Sequence, residues 1–189
     1  MPGHIKTFKH ALPAPLCREA IALFEKDSRV KPDPQPDYSK RHFLKLTGLS
    51  GWQDIERRMQ KYMDAVTQSY FAPIRGLEEI AIPEWSDDGL VMSRYNPGDI
   101  CALHVDGQTA DPAGNGLRLA TLLFFLNTVD KGGETWFPFQ KTKVKPELGT
   151  AVMFPVSFTH PHEVLKTYEK RYIIQTWIID PYLVVEPRS

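Results

Sequence analysis

The chain has 189 residues, and its 23 lysine and arginine residues balance 23 aspartate and glutamate residues, so the formal net charge is zero. This balance speaks against nucleic acid or an anionic membrane as the main partner, because both favour an excess of positive charge. Two widely separated cysteines indicate free thiols rather than a disulfide framework or a zinc site. No apolar run approaches the roughly 20 residues of a membrane span, and residues 1–10 lack the apolar core of a secretory signal. We therefore expect a cytoplasmic protein.

Two amphipathic helices are predicted in the first part of the chain. Residues 12–27 and residues 51–71 both place apolar side chains three and four positions apart. The methionine and aromatic stripe of the second helix indicates core packing. Residues 31–38 carry three alternating prolines and are predicted as an extended connector or a lid. Residues 41–47 alternate as a strand does.

From about residue 78 onward, short apolar stretches alternate with turn residues. The predicted strands are 79–82, 90–95, 100–104, 117–127, 134–138, 150–154, 161–165 and 171–180. Many short strands behind two helices predict a mainly β fold, a double-stranded β-helix or jelly roll, with two or more N-terminal helices packed on one sheet. We expect one domain over residues 1–189, with helical support over residues 1–77 and the jelly-roll core over residues 78–182.

The candidate metal ligands are two histidines and one aspartate. His104 and Asp106 are two residues apart, so in a strand their side chains point to the same face. His162 follows the predicted strand 150–154 and is the favoured third ligand, while His160 in the same loop competes for this role. Two imidazoles and a carboxylate are the ligand set of a mononuclear non-haem iron site with open coordination positions.

Arg171 is the candidate anchor for an acidic co-substrate. It begins the predicted strand 171–180 and shares a face with apolar side chains. A guanidinium on such a face needs a partner, because burying it unpaired is costly. A dicarboxylate would pair with it through two charge-assisted hydrogen bonds. A protein carboxylate, Glu134 or Asp180, is the alternative partner.

The chain resembles the prolyl-hydroxylase branch of the iron(II)/2-oxoglutarate dioxygenases, and most of all the oxygen-sensing prolyl hydroxylases. The resemblance covers about residues 91–180, and its motifs follow one another in the order of that family. They are Arg94-Tyr95-Asn96-Pro97-Gly98, His104-x-Asp106, residues 118–127 ending in Leu126-Asn127, Gly132-Gly133-Glu134-Thr135, residues 146–154, Pro161-His162-Glu163-Val164 and Arg171-Tyr172.

The resemblance implies a ligand set and a set of cofactors. His104, Asp106 and His162 would bind Fe(II), and Arg171 would bind the C5 carboxylate of 2-oxoglutarate. O2 would be the second co-substrate and ascorbate a further cofactor. No catalytic residue is expected beyond the metal ligands.

One position departs from the family pattern. Phe125 stands where the oxygen-sensing relatives have a tyrosine that also bonds the C5 carboxylate. Tyr95 or Thr121 would then supply the second contact to 2-oxoglutarate, and both are predicted to line its pocket.

The resemblance implies hydroxylation of a C–H bond, in the first place that of a prolyl residue in a peptide or protein. Hydroxylation of a free amino acid or small metabolite is the alternative, and a non-catalytic metal-binding jelly roll is a third reading. Nucleic-acid demethylation is disfavoured, because Trp177 stands where those relatives have a second arginine. Residues 107–116 are a polar loop after Asp106 and are predicted to govern selectivity.

Overall fold

The computed structural model describes residues 4–73, 85–107 and 117–180. Over these residues the chain forms two α-helices and twelve β-strands. In chain order they are β1 (Lys6–Phe8), α1 (Ala14–Phe24), β2 (Lys31–Pro32), β3 (His42–Lys45), α2 (Gln53–Phe71), β4 (Ser86–Asp87), β5 (Val91–Tyr95), β6 (Cys101–His104), β7 (Leu117–Phe125), β8 (Thr135–Phe137), β9 (Thr142–Val144), β10 (Ala151–Pro155), β11 (His162–Val164) and β12 (Arg171–Asp180).

The strands form two antiparallel sheets. The major sheet has the order β1-β10-β7-β12-β5-β3-β2, and β4 also pairs with β12. The minor sheet has the order β6-β11-β8-β9. From β5 onward the chain passes back and forth between the two sheets, which is the double-stranded arrangement of a jelly roll. The predicted mainly β jelly roll is thereby confirmed.

The major sheet is buried on both faces, and β7 shows this most clearly. Leu122 and Phe124 belong to the core cluster that contains the helices. Their neighbours Leu123 and Phe125 belong to a second cluster between the two sheets. Successive side chains of a strand point to opposite faces, so one strand serves both cores and its sequence is a continuous apolar run.

The two helices cover the outer face of the major sheet, as predicted. Pro13 precedes α1 and Pro15 lies in its first turn, where the lost N–H groups are not needed. Helix α2 buries the stripe that includes Ile55, Met59 and Met63, and Asp54 and Glu56 lie in its first turn. The stripe is core packing, as the sequence indicated. Among the described residues, no helix combines the length and apolar character needed to span a membrane.

Several short elements differ from the sequence-based expectation. Strands β1 and β2 were not predicted, and together with the predicted strand β3 they show that the first 77 residues supply strands of the major sheet as well as helices. Strand β2 opens the predicted proline connector and pairs at the sheet edge, where a proline is tolerated. Strand β9 was not predicted, and the predicted strand 79–82 lies outside the described residues.

Candidate metal centre

Neighbouring strands of the minor sheet bring the two candidate histidine ligands together. Strands β6 and β11 pair antiparallel, with His104 directly opposite His162. Asp106 follows β6 by two residues, and its Oδ1 lies 3.4 Å from His104 Nε2 while its Oδ2 lies 3.8 Å from His162 Nε2. One ligand atom from each residue lies within 4.8 Å of the other two. The three side chains could therefore hold one metal ion on a shared face.

Backbone carbonyls orient both imidazoles. His104 Nδ1 lies 2.8 Å from the carbonyl oxygen of Ala102, and His162 Nδ1 lies 3.2 Å from that of His160. With Nδ1–H donating to a carbonyl, Nε2 is the ring nitrogen that faces Asp106 and is left to bind a metal ion. This is the usual outer contact of a metal-binding histidine.

The competing histidine takes a different position. His160 Nδ1 lies 2.8 Å from the hydroxyl of Thr159, and the side chain is not part of the three-residue cluster. His160 contributes its backbone carbonyl, which accepts the hydrogen bond from His162. The geometry therefore brings together His104, Asp106 and His162, the set favoured from the sequence.

The electrostatics of the cluster favour a bound cation. Burial raises the pKa of Asp106, but the hydrogen bond with His104 and the charges of His162 and His104 hold it well below its usual range. Burial lowers the pKa of His162 to about 4, so this imidazole is neutral at neutral pH. Burial also lowers the pKa of His104, but the hydrogen bonds with Asp106 and Cys101 and the charge of Asp106 together outweigh burial and raise the pKa to about 10. A metal ion at the site would displace the His104 proton.

Thr121 contacts the cluster rather than the arginine. Its hydroxyl donates a hydrogen bond to Oδ2 of Asp106. Thr121 lies on β7 opposite Trp177 of β12, on the inner face of the major sheet. The hydroxyl can therefore fix the orientation of the candidate carboxylate ligand, a role that the sequence did not suggest.

Arg171 lies fully buried between the sheets. Its Nη2 donates to the hydroxyl of Thr135 at 3.1 Å, and its guanidinium lies 4.9 Å from the ring centre of Tyr95 and 5.3 Å from that of Phe125. Within the described part of the chain, Nε and Nη1 have no hydrogen-bond partner. Burial lowers the pKa of Arg171, while the neighbouring Tyr95 opposes this shift.

Burying a guanidinium whose N–H groups lack hydrogen-bond acceptors costs free energy, unless a ligand accepts those hydrogen bonds. The neighbouring Thr135 hydroxyl and Tyr95 add polar atoms on the side of the metal cluster. The donor set fits a carboxylate that enters from that side, as 2-oxoglutarate would present. The protein carboxylate considered from the sequence as an alternative partner is not what Arg171 contacts: its hydrogen bond goes to Thr135.

A cavity of about 220 Å³ lies at the cluster, and the three candidate ligands, Tyr95 and Thr121 all line it. Arg171 does not line the cavity but is hydrogen-bonded to Thr135, which does. The other lining residues are Tyr38, Arg41, Val105, Leu123, Thr135, Phe154, Val164, Ile173, Gln175 and Trp177.

Sequence reasoning missed several of these lining residues. Tyr38 and Arg41 come from the end of the proline connector and the start of the next strand, and the Tyr38 ring lies 5.3 Å from that of His104. Thr135 was placed in the predicted strand 134–138 but given no role at the site, although it is the hydrogen-bond partner of Arg171. Residues 108–116 of the predicted selectivity loop lie outside the described residues.

Comparison with known proteins agrees with this geometry. Residues 90–179 match the family model of the 2OG-Fe(II) oxygenase superfamily. The probable prolyl 4-hydroxylase 11 of Arabidopsis thaliana is 35% identical over 80 residues, which is 39% of this chain and 26% of that protein. This chain therefore spans about a quarter of the length of that curated relative.

Solved structures of prolyl hydroxylases share the fold. A viral collagen prolyl hydroxylase from Paramecium bursaria Chlorella virus-1, in complex with 2OG, matches with a TM-score of 0.70 at 23% identity, over 98% of each chain. A prolyl hydroxylase from Trichoplax adhaerens, in complex with a peptide fragment of the hypoxia-inducible factor oxygen degradation domain, matches with a TM-score of 0.72 at 17% identity, over 95% of this chain and 84% of that one. At identities this low, the structural similarity establishes the fold alone.

The family match and the histidine-aspartate-histidine cluster confirm the predicted cofactors, Fe(II), 2-oxoglutarate and O2. The same family match favours an oxygenase over the non-catalytic jelly roll that the sequence left as a third possibility. Residues 90–179 are thus similar to the 2OG-Fe(II) oxygenase superfamily, and among the described relatives the chain resembles the prolyl hydroxylases.

Proposed function

We propose that this protein is an Fe(II)- and 2-oxoglutarate-dependent dioxygenase that hydroxylates a prolyl residue in a peptide or protein. His104, Asp106 and His162 bind the iron in this proposal, and Arg171 binds the C5 carboxylate of 2-oxoglutarate. The observation that carries the proposal is the combination of the ligand cluster with a fully buried arginine whose Nε and Nη1 have no partner among the described residues.

When bound, the iron supplies the oxidation: 2-oxoglutarate loses CO2 and becomes succinate, one atom of O2 enters succinate and the other enters the substrate C–H bond. The chain's own residues bind and orient. Thr121 fixes the Asp106 carboxylate, and the carbonyls of Ala102 and His160 fix the two imidazoles. Apolar side chains from both sheets restrict the access of water.

Tyr95 and Thr121 were both predicted to contact 2-oxoglutarate where Phe125 cannot. Tyr95 is the better candidate, because its ring lies beside the Arg171 guanidinium. Thr135 is a further candidate, because its hydroxyl already accepts a hydrogen bond from Arg171. Ascorbate as a further cofactor and a cytoplasmic location belong to the same proposal.

The prolyl substrate rests on the likeness to a probable prolyl 4-hydroxylase and to prolyl hydroxylase structures, one of them holding a peptide. The alternative, a free amino acid or small metabolite, has no such support. The experiment that tests the choice incubates the protein with Fe(II), 2-oxoglutarate and ascorbate and a panel of proline-containing peptides.

The expected result is a mass gain of one oxygen atom on proline, matched mole for mole by succinate. His162→Ala should lose this turnover, because it removes a proposed iron ligand. His160→Ala is the matched control and should retain turnover. Oxygenation of free proline or small acids with no peptide oxygenation would replace the proposal by its alternative.

A further inference from the structure

A second cavity of about 260 Å³ adjoins the metal cavity and shares Arg41 and Trp177 with it. We call it the basic groove. Its lining residues are Arg41, Phe43, Lys45, Thr47, Asp88, Gly89, Leu90, Val91, Arg118 and Trp177. Three of these side chains are cationic and one is a carboxylate.

The basic groove lies on the same face of the major sheet as the metal cavity. Lys45 is aligned with Val91 across β3 and β5, and Val91 is aligned with Gln175 of β12. Gln175 lines the metal cavity, while Lys45 and Val91 line the basic groove. A chain whose reactive atom lies at the metal can therefore continue across this sheet face into the groove.

The charges of the groove are unevenly neutralised. Arg118 Nε donates to Asp88 at 2.6 Å, and Arg41 Nε donates to Asp33 at 2.9 Å. Lys45 is exposed, and within residues 4–73, 85–107 and 117–180 it forms no salt bridge. After these pairings one positive charge remains in the groove.

Trp177 lines the same groove as Lys45. The Arg118 guanidinium lies 3.9 Å from the centre of its ring. The Trp177 indole N–H is buried and has no hydrogen-bond partner in the part of the chain that the structure describes. A carboxylate in the groove would contact the ammonium group of Lys45 and would lie close to the indole N–H of Trp177 and the guanidinium of Arg118.

We propose that the basic groove binds an acidic side chain of the peptide substrate, on one side of the prolyl residue that enters the metal cavity. The inference rests on the proposed function, because it takes a peptide as the substrate. It adds a selectivity determinant, Lys45, that is not part of the metal or 2-oxoglutarate site. Its chemistry is the attraction between a partly enclosed cationic groove and a carboxylate.

The test measures binding rather than turnover. The full chain, loaded with Mn(II) and 2-oxoglutarate, is applied at low salt to an array of synthetic peptides with a central proline, in which each flanking position is varied among Asp, Asn, Lys and Ala. We expect Asp to be preferred at positions on one side of the proline, and Asp→Asn to weaken binding about fivefold. The preference should fade as salt is added.

Two lysine variants assign the preference to the groove. Lys45→Glu should exchange the preference for Asp for a preference for Lys at the same positions. Lys143→Glu changes an equally exposed lysine on β9 of the minor sheet and should leave the preference unchanged. No acidic preference, or one that survives Lys45→Glu, would overturn the inference.

A second array with alanine in place of the central proline separates the two proposals. If binding depends on the proline but not on the acidic residue, the proposed function stands and the groove inference fails. If binding depends on the acidic residue but not on the proline, the groove is supported and the prolyl substrate is not. Binding of no peptide at all would overturn both.

Discussion

Arg171 is a buried charge whose hydrogen bonds are incomplete. It is fully buried, it forms one hydrogen bond with Thr135, and Nε and Nη1 have no partner among the described residues. A buried charge in this state contributes little to the stability of the fold, because desolvation offsets much of what its contacts return. We propose that a ligand carboxylate explains its presence.

Arg171→Met should separate stability from co-substrate binding. The variant keeps the volume but removes the charge, so we expect its melting temperature without 2-oxoglutarate to equal or exceed that of the wild type. Its affinity for 2-oxoglutarate should fall by about a hundredfold, since the lost carboxylate pairing is worth about 3 kcal/mol. A thermal unfolding scan measures the melting temperature, and calorimetric titration of the Mn(II)-loaded proteins measures the affinity; an unchanged affinity would contradict the assignment of Arg171.

Thr121→Val tests a different contact. The hydroxyl of Thr121 donates to Asp106, so its loss should weaken metal binding by about tenfold to a hundredfold, as is usual for outer contacts of metal ligands. Thr121→Ser keeps the donor and should bind metal as the wild type does. If Thr121→Val binds metal normally but binds 2-oxoglutarate poorly, the hydroxyl acts on the co-substrate instead, as the sequence suggested.

The site could be predicted from sequence where the chemistry is local. His104 and Asp106 share a strand face, so their side-by-side placement follows from spacing alone. The opposite position of His162 depends on the pairing of β11 with β6, which no local pattern reveals. Tyr38, Arg41 and Thr135 were missed in their present roles for the same reason, since the topology of the two sheets decides what they face.

At the level of elements, one carboxylate joins the two helices. Asp27 follows α1, and its Oδ2 accepts a hydrogen bond of 2.9 Å from Trp52 Nε1 at the start of α2. Arg29 adds bonds from Nε at 2.8 Å and Nη2 at 2.7 Å. The hydrogen bond from Arg29, together with that from Trp52, holds the pKa of Asp27 well below its usual range although burial opposes this.

Asp27→Ala should therefore destabilise the protein by about 2 kcal/mol at neutral pH, because the buried Trp52 donor loses a charged acceptor. Asp27 has a lower pKa in the folded protein than in the unfolded chain, where it is about 3.9. Its contribution is complete above that pKa and is lost as the pH falls through the folded pKa. Urea unfolding at pH 7 and below pH 4 measures the loss of unfolding free energy in Asp27→Ala, with Asp37→Ala as the control. A loss that stays constant at low pH would contradict this role of Asp27.

The helices were predictable as elements and the shortest strands were not. The apolar period marks α1 and α2 to within three residues of their ends, and the prolines mark where α1 begins. Strands β1 and β9 have three residues each, which is too few to show a period of two. Their place is fixed by pairing with β10 and β8, and so by the fold as a whole.

At the scale of the whole molecule, the parts before and after residue 78 depend on each other. Strand β3 pairs with β5, β1 pairs with β10, and both helices share one core cluster with β7, β10 and β12. The sequence predicted a single domain made of helical support and a jelly-roll core, and these pairings are the reason why we expect one cooperative unit.

Unfolding of the full chain in urea should then show one transition, coincident by tryptophan fluorescence and far-ultraviolet circular dichroism. A fragment of residues 78–189 would expose the helix-covered face of the major sheet and lack the edge strands that pair with β5 and β10. We expect it to show no cooperative transition. A fragment that unfolds cooperatively would mean that the two parts are independent units.

We propose that His104, Asp106 and His162 hold an iron ion and that Arg171 anchors the 2-oxoglutarate bound to it. Both parts of this site are tested by adding Fe(II) and then 2-oxoglutarate to the protein without oxygen and recording the visible charge-transfer band of the chelate. We expect a band that needs both additions, persists in His160→Ala, weakens in Arg171→Met and is lost in His162→Ala. A full band in His162→Ala, or no band from wild-type protein that has bound its iron, would contradict this proposal.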